Sequence, residues 1–85
     1  MTPSAMEDAI FNLLARRQTD ATICPSEVAR SLATDEGEWR QLMPQVRQVA
    51  HDLAKAGRLR VTRRGVEVDA TSKGGPIRLG RGDKE

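Results

Sequence analysis

Apolar side chains recur at helical intervals three times along this chain, and the pattern then switches to strict alternation. Met6, Ala9, Ile10, Leu13 and Leu14 form the first stripe, which predicts an amphipathic helix over 5–17. Ser4 and Glu7 stand at capping-box spacing at its start, where each side chain can meet a free backbone N–H. Phe11 lies at the edge of the stripe. Arg16 and Arg17 fall in the last turn, where positive charge complements the helix dipole.

Polar residues 18–21 follow, and then Thr22-Ile23-Cys24, a β-prone stretch suited to a single strand pair. Pro25 sits where a second helix over 25–33 would begin, a position at which its missing N–H costs nothing. Glu27 supports that start, and Val28, Ala29 and Leu32 supply the inward face. Residues 34–38 read as a charged loop. Trp39, Leu42 and Met43 resume helical spacing, but a proline inside a helix removes a hydrogen bond. Pro44 therefore predicts a short helical turn at 38–42 and a new third helix starting at 44. Val46, Val49, Ala50 and Leu53 face inward along that helix, and Gly57 supplies its stop.

Leu59, Val61 and Arg63 then alternate with Arg60 and Thr62, and Val66 and Val68 alternate with Glu67 and Asp69. A two-residue turn at Arg64-Gly65 sets Val61 against Val68 on the buried side. It also sets Arg60 against Asp69 and Thr62 against Glu67 on the other side. A slip of one residue would spoil both matches. Gly74-Gly75-Pro76 breaks the pattern, residues 76–79 are expected to lie extended against the core, and residues 80–85 are expected to be a disordered tail. The fold class that results is α+β, mainly α: one domain over 1–79, with three helices followed by a two-stranded β-hairpin.

Composition adds limits to this picture. Eighty-five residues leave room for one domain with a thin core. Phe11 and Trp39 are the only aromatic residues, so the core must be aliphatic. The one cysteine, Cys24, has no partner for an intramolecular disulfide and reads as a small buried apolar side chain in a reducing compartment. No apolar run approaches the length of a membrane span, so the cytoplasm is the expected address and no membrane partner is expected.

Charge is distributed unevenly. Residues 1–39 carry three arginines against seven acidic side chains, whereas residues 40–64 carry seven cationic side chains against Asp52 alone. Residues 65–85 balance. A middle segment this basic points to a polyanionic partner.

The order helix, short extended stretch, helix, helix, hairpin resembles that of winged-helix domains. Pro25-Ser26-Glu27-Val28-Ala29-Arg30 looks like the opening of their second helix. Val46-Arg47 through Leu53-Ala54-Lys55-Ala56-Gly57-Arg58-Leu59 resembles their third helix passing into the first strand of the wing. A closer likeness is to a small bacterial family catalogued as domain of unknown function three-two-five-three. It runs through Ile23 to Arg30, Trp39-Arg40, Met43-Pro44, Val46-Arg47, Val61-Thr62, Gly65, Val68-Asp69 and Gly75-Pro76-Ile77-Arg78-Leu79. The resemblance implies a winged helix-turn-helix fold and leaves the function open; a DNA-binding part in transcription regulation is the expectation from the basic segment and the fold together. The connection from Thr34 to Met43 is longer than the three or four residues a helix-turn-helix uses.

With the valines of the third helix inward, Gln48, His51 and Lys55 point outward, flanked by Arg47 and Gln45. Gln and Arg suit base edges, and Lys suits phosphate; a solvated helix face would carry the same residue types. Arg63 and Arg64 at the hairpin tip are placed either to meet a DNA backbone or to keep an exposed strand pair soluble. The candidate nucleic-acid-binding residues are therefore Gln45, Arg47, Gln48, His51, Lys55, Arg63 and Arg64. His51 lacks any metal-ligand spacing, and no phosphate loop or nucleophile motif is present. The expectation is a non-enzyme that takes no cofactor. Trp39 either closes the core with Leu42 and Met43 or anchors another protein. Double-stranded DNA is thus the first expected partner, and a protein docked on the Trp39 connection is the second.

Overall fold

Thr2, rather than Ser4, opens the first helix. The structure, a computed structural model, describes residues 2–82. Helix α1 (Pro3–Ala15) has Thr2 as its N-cap, and the Thr2 hydroxyl accepts from the Ala5 N–H at 3.2 Å. The start moves because Pro3, with its fixed φ and no N–H, fits the first helical position. Glu7 is thereby left to reach Arg58, at 3.4 Å. At the other end Arg16 is already the C-cap and Arg17 pairs with Glu27 at 3.2 Å. The guanidinium that meets a terminal carbonyl is that of Arg81, 3.1 Å from Leu14 O, so this charge at the helix end comes from a distant segment.

Helix α2 (Pro25–Leu32) begins at Pro25, and the Glu27 carboxylate accepts from the Cys24 N–H at 3.2 Å. Cys24 is half-buried rather than buried, and its Sγ receives the Ser26 hydroxyl at 3.1 Å.

The turn and helix expected on either side of Pro44 are one element. Helix α3 runs unbroken from Trp39 to Lys55 with Pro44 inside it. Proline forfeits the bond to the carbonyl four residues back, that of Arg40, and its ring crowds that carbonyl. Both Pro44 and Arg40 are exposed, so water can take the freed carbonyl and the helix continues. Its end is as expected: the Gly57 N–H bonds Ala54 O and the Arg58 N–H bonds Leu53 O, each at 3.0 Å, the paired bonds of a Schellman stop.

Strands β1 (Leu59–Arg63) and β2 (Val66–Glu67) form the hairpin in the expected register, Thr62 opposite Glu67 and Arg63 opposite Val66. Arg64 and Gly65 both have positive φ, 55° and 82°, as a two-residue turn of this hand requires. The Val68 N–H still bonds Val61 O at 3.0 Å. The second strand stops at Glu67 because the chain bends at Asp69, whose Oδ1 takes the Thr71 N–H at 2.8 Å. A third strand, β3 (Arg78–Arg81), covers the other edge of β1, so the sheet has three antiparallel strands in the order β2-β1-β3. Ile23 adds the expected single pair, bridging Leu79.

The strand therefore runs past the boundary expected at 79. Gly80 is buried, and a Cβ on Gly82 would overlap the Gly57 carbonyl and the backbone of Arg58 and Leu59. Of the tail expected at 80–85, residues 83–85 lie outside the described residues. The core draws Met6, Ile10 and Leu14 from α1, Val28 and Ala29 from α2, and Val46, Val49, Ala50 and Leu53 from α3. Leu59, Val61, Ile23, Ile77 and Leu79 close it from the sheet side.

Candidate nucleic-acid interface

Continuity of α3 through Pro44 determines which side chains share a face. At about 100° and 1.5 Å per residue, Arg40, Arg47, His51 and Lys55 fall within an arc of about 80° along roughly 22 Å of helix. Arg40, Arg47 and Lys55 are exposed. Arg40 was missed in the sequence because a helix restarting at Pro44 would have left it in a separate turn. The signal that could have found it is the seven-residue spacing between Arg40 and Arg47.

Gln45 is half-buried and makes a contact within the chain. Gln48 is exposed, and its Nε2 donates to Asp52 Oδ1 at 3.2 Å. His51 Nδ1 lies 3.2 Å from Asp69 Oδ1, which ties the foot of the hairpin to the basic stripe. Asp69 also takes the Thr71 hydroxyl at 2.6 Å. The Thr71 hydroxyl and N–H, with His51 behind them, hold the Asp69 carboxyl below the usual carboxylate range. Thr71 then lines an open depression with Arg40, Met43, Pro44 and Arg47.

The two tip arginines part company. Arg64 is exposed at the turn. Arg63 folds back, and its guanidinium donates to Ser72 O, Lys73 O, Gly75 O and Ser72 Oγ at 3.2–3.3 Å. That guanidinium is a clamp on loop 72–75. Around the Trp39 connection, the ring is half-buried and packs against the core with Leu42 and Met43, a placement that fits both of its expected roles. The guanidinium carbons of Arg30 and Arg40 lie 4.4 Å and 4.6 Å from its centroid, within cation–π range.

Three helices followed by a small antiparallel three-stranded sheet make a mainly helical α+β domain, consistent with a winged-helix-like arrangement. The chain belongs to the family described as a protein of unknown function (DUF3253), whose model matches residues 3–82. A search of curated proteins gives no match. No helix among the described residues is long and apolar enough to cross a membrane.

Proposed function

We propose that this chain is a non-catalytic, cytoplasmic module that binds double-stranded DNA through the exposed stripe of α3, with Arg64 of the hairpin tip meeting the duplex backbone. The observation that carries the reading is the unbroken helix through Pro44, which puts Arg40, Arg47 and Lys55 on one exposed line. Arg47 and Lys55 make no hydrogen bond or ion pair among the described residues, and a phosphate is the natural partner for such cations. The single free cysteine supports the cytoplasmic address.

Anisotropy of a labelled duplex across salt concentrations tests this. About four neutralised phosphates give a slope of log affinity against log salt near −3 to −4. Replacing Arg47 and Lys55 together by Ala should flatten the slope by about 2 units and weaken binding to every duplex. Absence of binding at low salt would end the proposal.

The Trp39 connection favours a second reading, a protein-interaction domain. Trp39 and Arg30 border a surface depression with Ala33, Thr34, Asp35 and Glu36, and Trp and Arg are the residue types enriched at binding hot spots. A pull-down from nuclease-treated lysate that is lost on Trp39→Ala would support it, with retained heat stability of that variant as the control.

A further inference from the structure

Resting on the DNA-binding reading, we infer that this interface recognises the duplex by its backbone, so that the protein binds DNA with little regard to sequence. Direct readout needs Gln, Asn, Arg or Lys side chains free to form paired hydrogen bonds with base edges. On α3 two of the three glutamines and the histidine are already engaged inside the chain. Gln48 donates to Asp52 at 3.2 Å, Gln45 has an intrachain contact, and His51 is held against Asp69 at 3.2 Å. Arg40 rests near the Trp39 ring, at 4.6 Å, and at the hairpin Arg63 is committed to loop 72–75.

On α3, Gln41, Arg47 and Lys55 remain exposed with no partner among the described residues, and Arg40 keeps its N–H donors free beside the Trp39 ring. Arg64 stands exposed at the hairpin tip. Gln41 and Arg47 are six residues apart, which rotates them about 120° from each other, so the one free amide does not face the same groove floor as the cationic stripe. Between them on the stripe stands Pro44, exposed and without any hydrogen-bonding group on its side chain. Of the acidic residues near the stripe, Asp52 is on Gln48 and Asp69 is beside His51. What is left to meet the duplex is a row of cations, and cations on phosphates carry affinity without sequence information.

A single bidentate contact by Arg47 would discriminate one base pair by roughly tenfold to a hundredfold, whereas sequence-specific binders exceed their own non-specific binding by about a thousandfold or more. The test is repeated selection of the full chain on a randomised duplex pool at low salt. Anisotropy on the selected and starting pools follows, under the same conditions. The expected result is no recovered motif and affinities that agree within about a hundredfold. A recovered motif bound more tightly than that overturns the inference while leaving the DNA-binding reading intact. Failure of both pools to bind overturns the two together.

Discussion

The hairpin region and α3 are both basic, but they treat their cationic side chains in opposite ways. Around the hairpin, Arg58 lies on Glu7 and over the Phe11 ring, Arg60 has an intrachain contact, and Arg63 clamps loop 72–75. Strand β3 behaves alike: Arg78 donates to Thr22 Oγ1 at 2.9 Å and Thr22 O at 3.0 Å, and Arg81 reaches Leu14 O. These arginines fasten a small sheet and its loops to the helices. On α3, by contrast, Arg47 and Lys55 point to solvent with no partner among the described residues. The lesson is that a count of charges along a sequence gives the field felt at a distance, but not the number of groups left for a partner at contact. Arg64 is the exception at the hairpin, and it makes the contrast testable within one dipeptide.

The largest expected effect comes from unseating the strand that lets the sheet side use its arginines. Leu79 is fully buried, pairs with Val61 and bridges Ile23. Leu79→Ala should cost about 2–5 kcal/mol, lowering the melting temperature by more than about 10 °C in a domain this small. A loss of only a degree or two in thermal denaturation would mean that β3 is not part of the cooperative unit, and the fastening role of Arg78 and Arg81 would fall with it.

Next in size is the contrast between the tip neighbours. Arg63→Ala removes the hydrogen bonds that hold loop 72–75 and should cost about 1–2 kcal/mol, with the salt slope for duplex binding unchanged. Arg64→Ala should leave stability within about 0.5 kcal/mol and flatten the salt slope by about 0.9. Thermal melts and anisotropy on the two variants read both quantities. Equal melting temperatures, or equal slopes, would erase the distinction between fastening and available charge.

How far this was legible in the sequence follows from the range of the forces involved. The hairpin register could be read because alternation and the Arg64-Gly65 turn are local and agree with each other. The inward valines of α3 could be read for the same reason. Pro44 misled because the cost of an interior proline depends on whether water can reach the orphaned carbonyl, which is a matter of tertiary exposure. Strand β3 was half visible: Ile77 and Leu79 alternate, but Gly80 has no side chain to extend the pattern, and it is buried because Thr22 lies against it. On the candidate interface, the outward direction of Arg47, Gln48 and Lys55 was legible from periodicity. The occupation of Arg63 was not, since all but one of its acceptors are backbone carbonyls 9–12 residues away, and carbonyls leave no trace in the identity of a residue.

The smallest effect lies where the two regions touch, at Asp69. Its carboxylate accepts from the Thr71 hydroxyl and N–H and stands beside His51 of α3, and these groups favour the ionised form. A carboxyl whose pKa is lowered by folding adds stability that is present above its unfolded pKa. That stability is lost as pH falls through the folded value. Asp69→Asn keeps an acceptor for Thr71 but removes the charge. Because Asp69 is exposed to solvent, the difference in melting temperature between the parent and this variant should be no more than a few degrees at pH 5. It should shrink steadily once the pH drops below the usual carboxylate range. A gap that stays constant into strong acid would show that the charge on Asp69 does not hold the foot of the hairpin to α3. The link between the fastened region and the exposed stripe would then rest on apolar packing and on the backbone bonds that close α3.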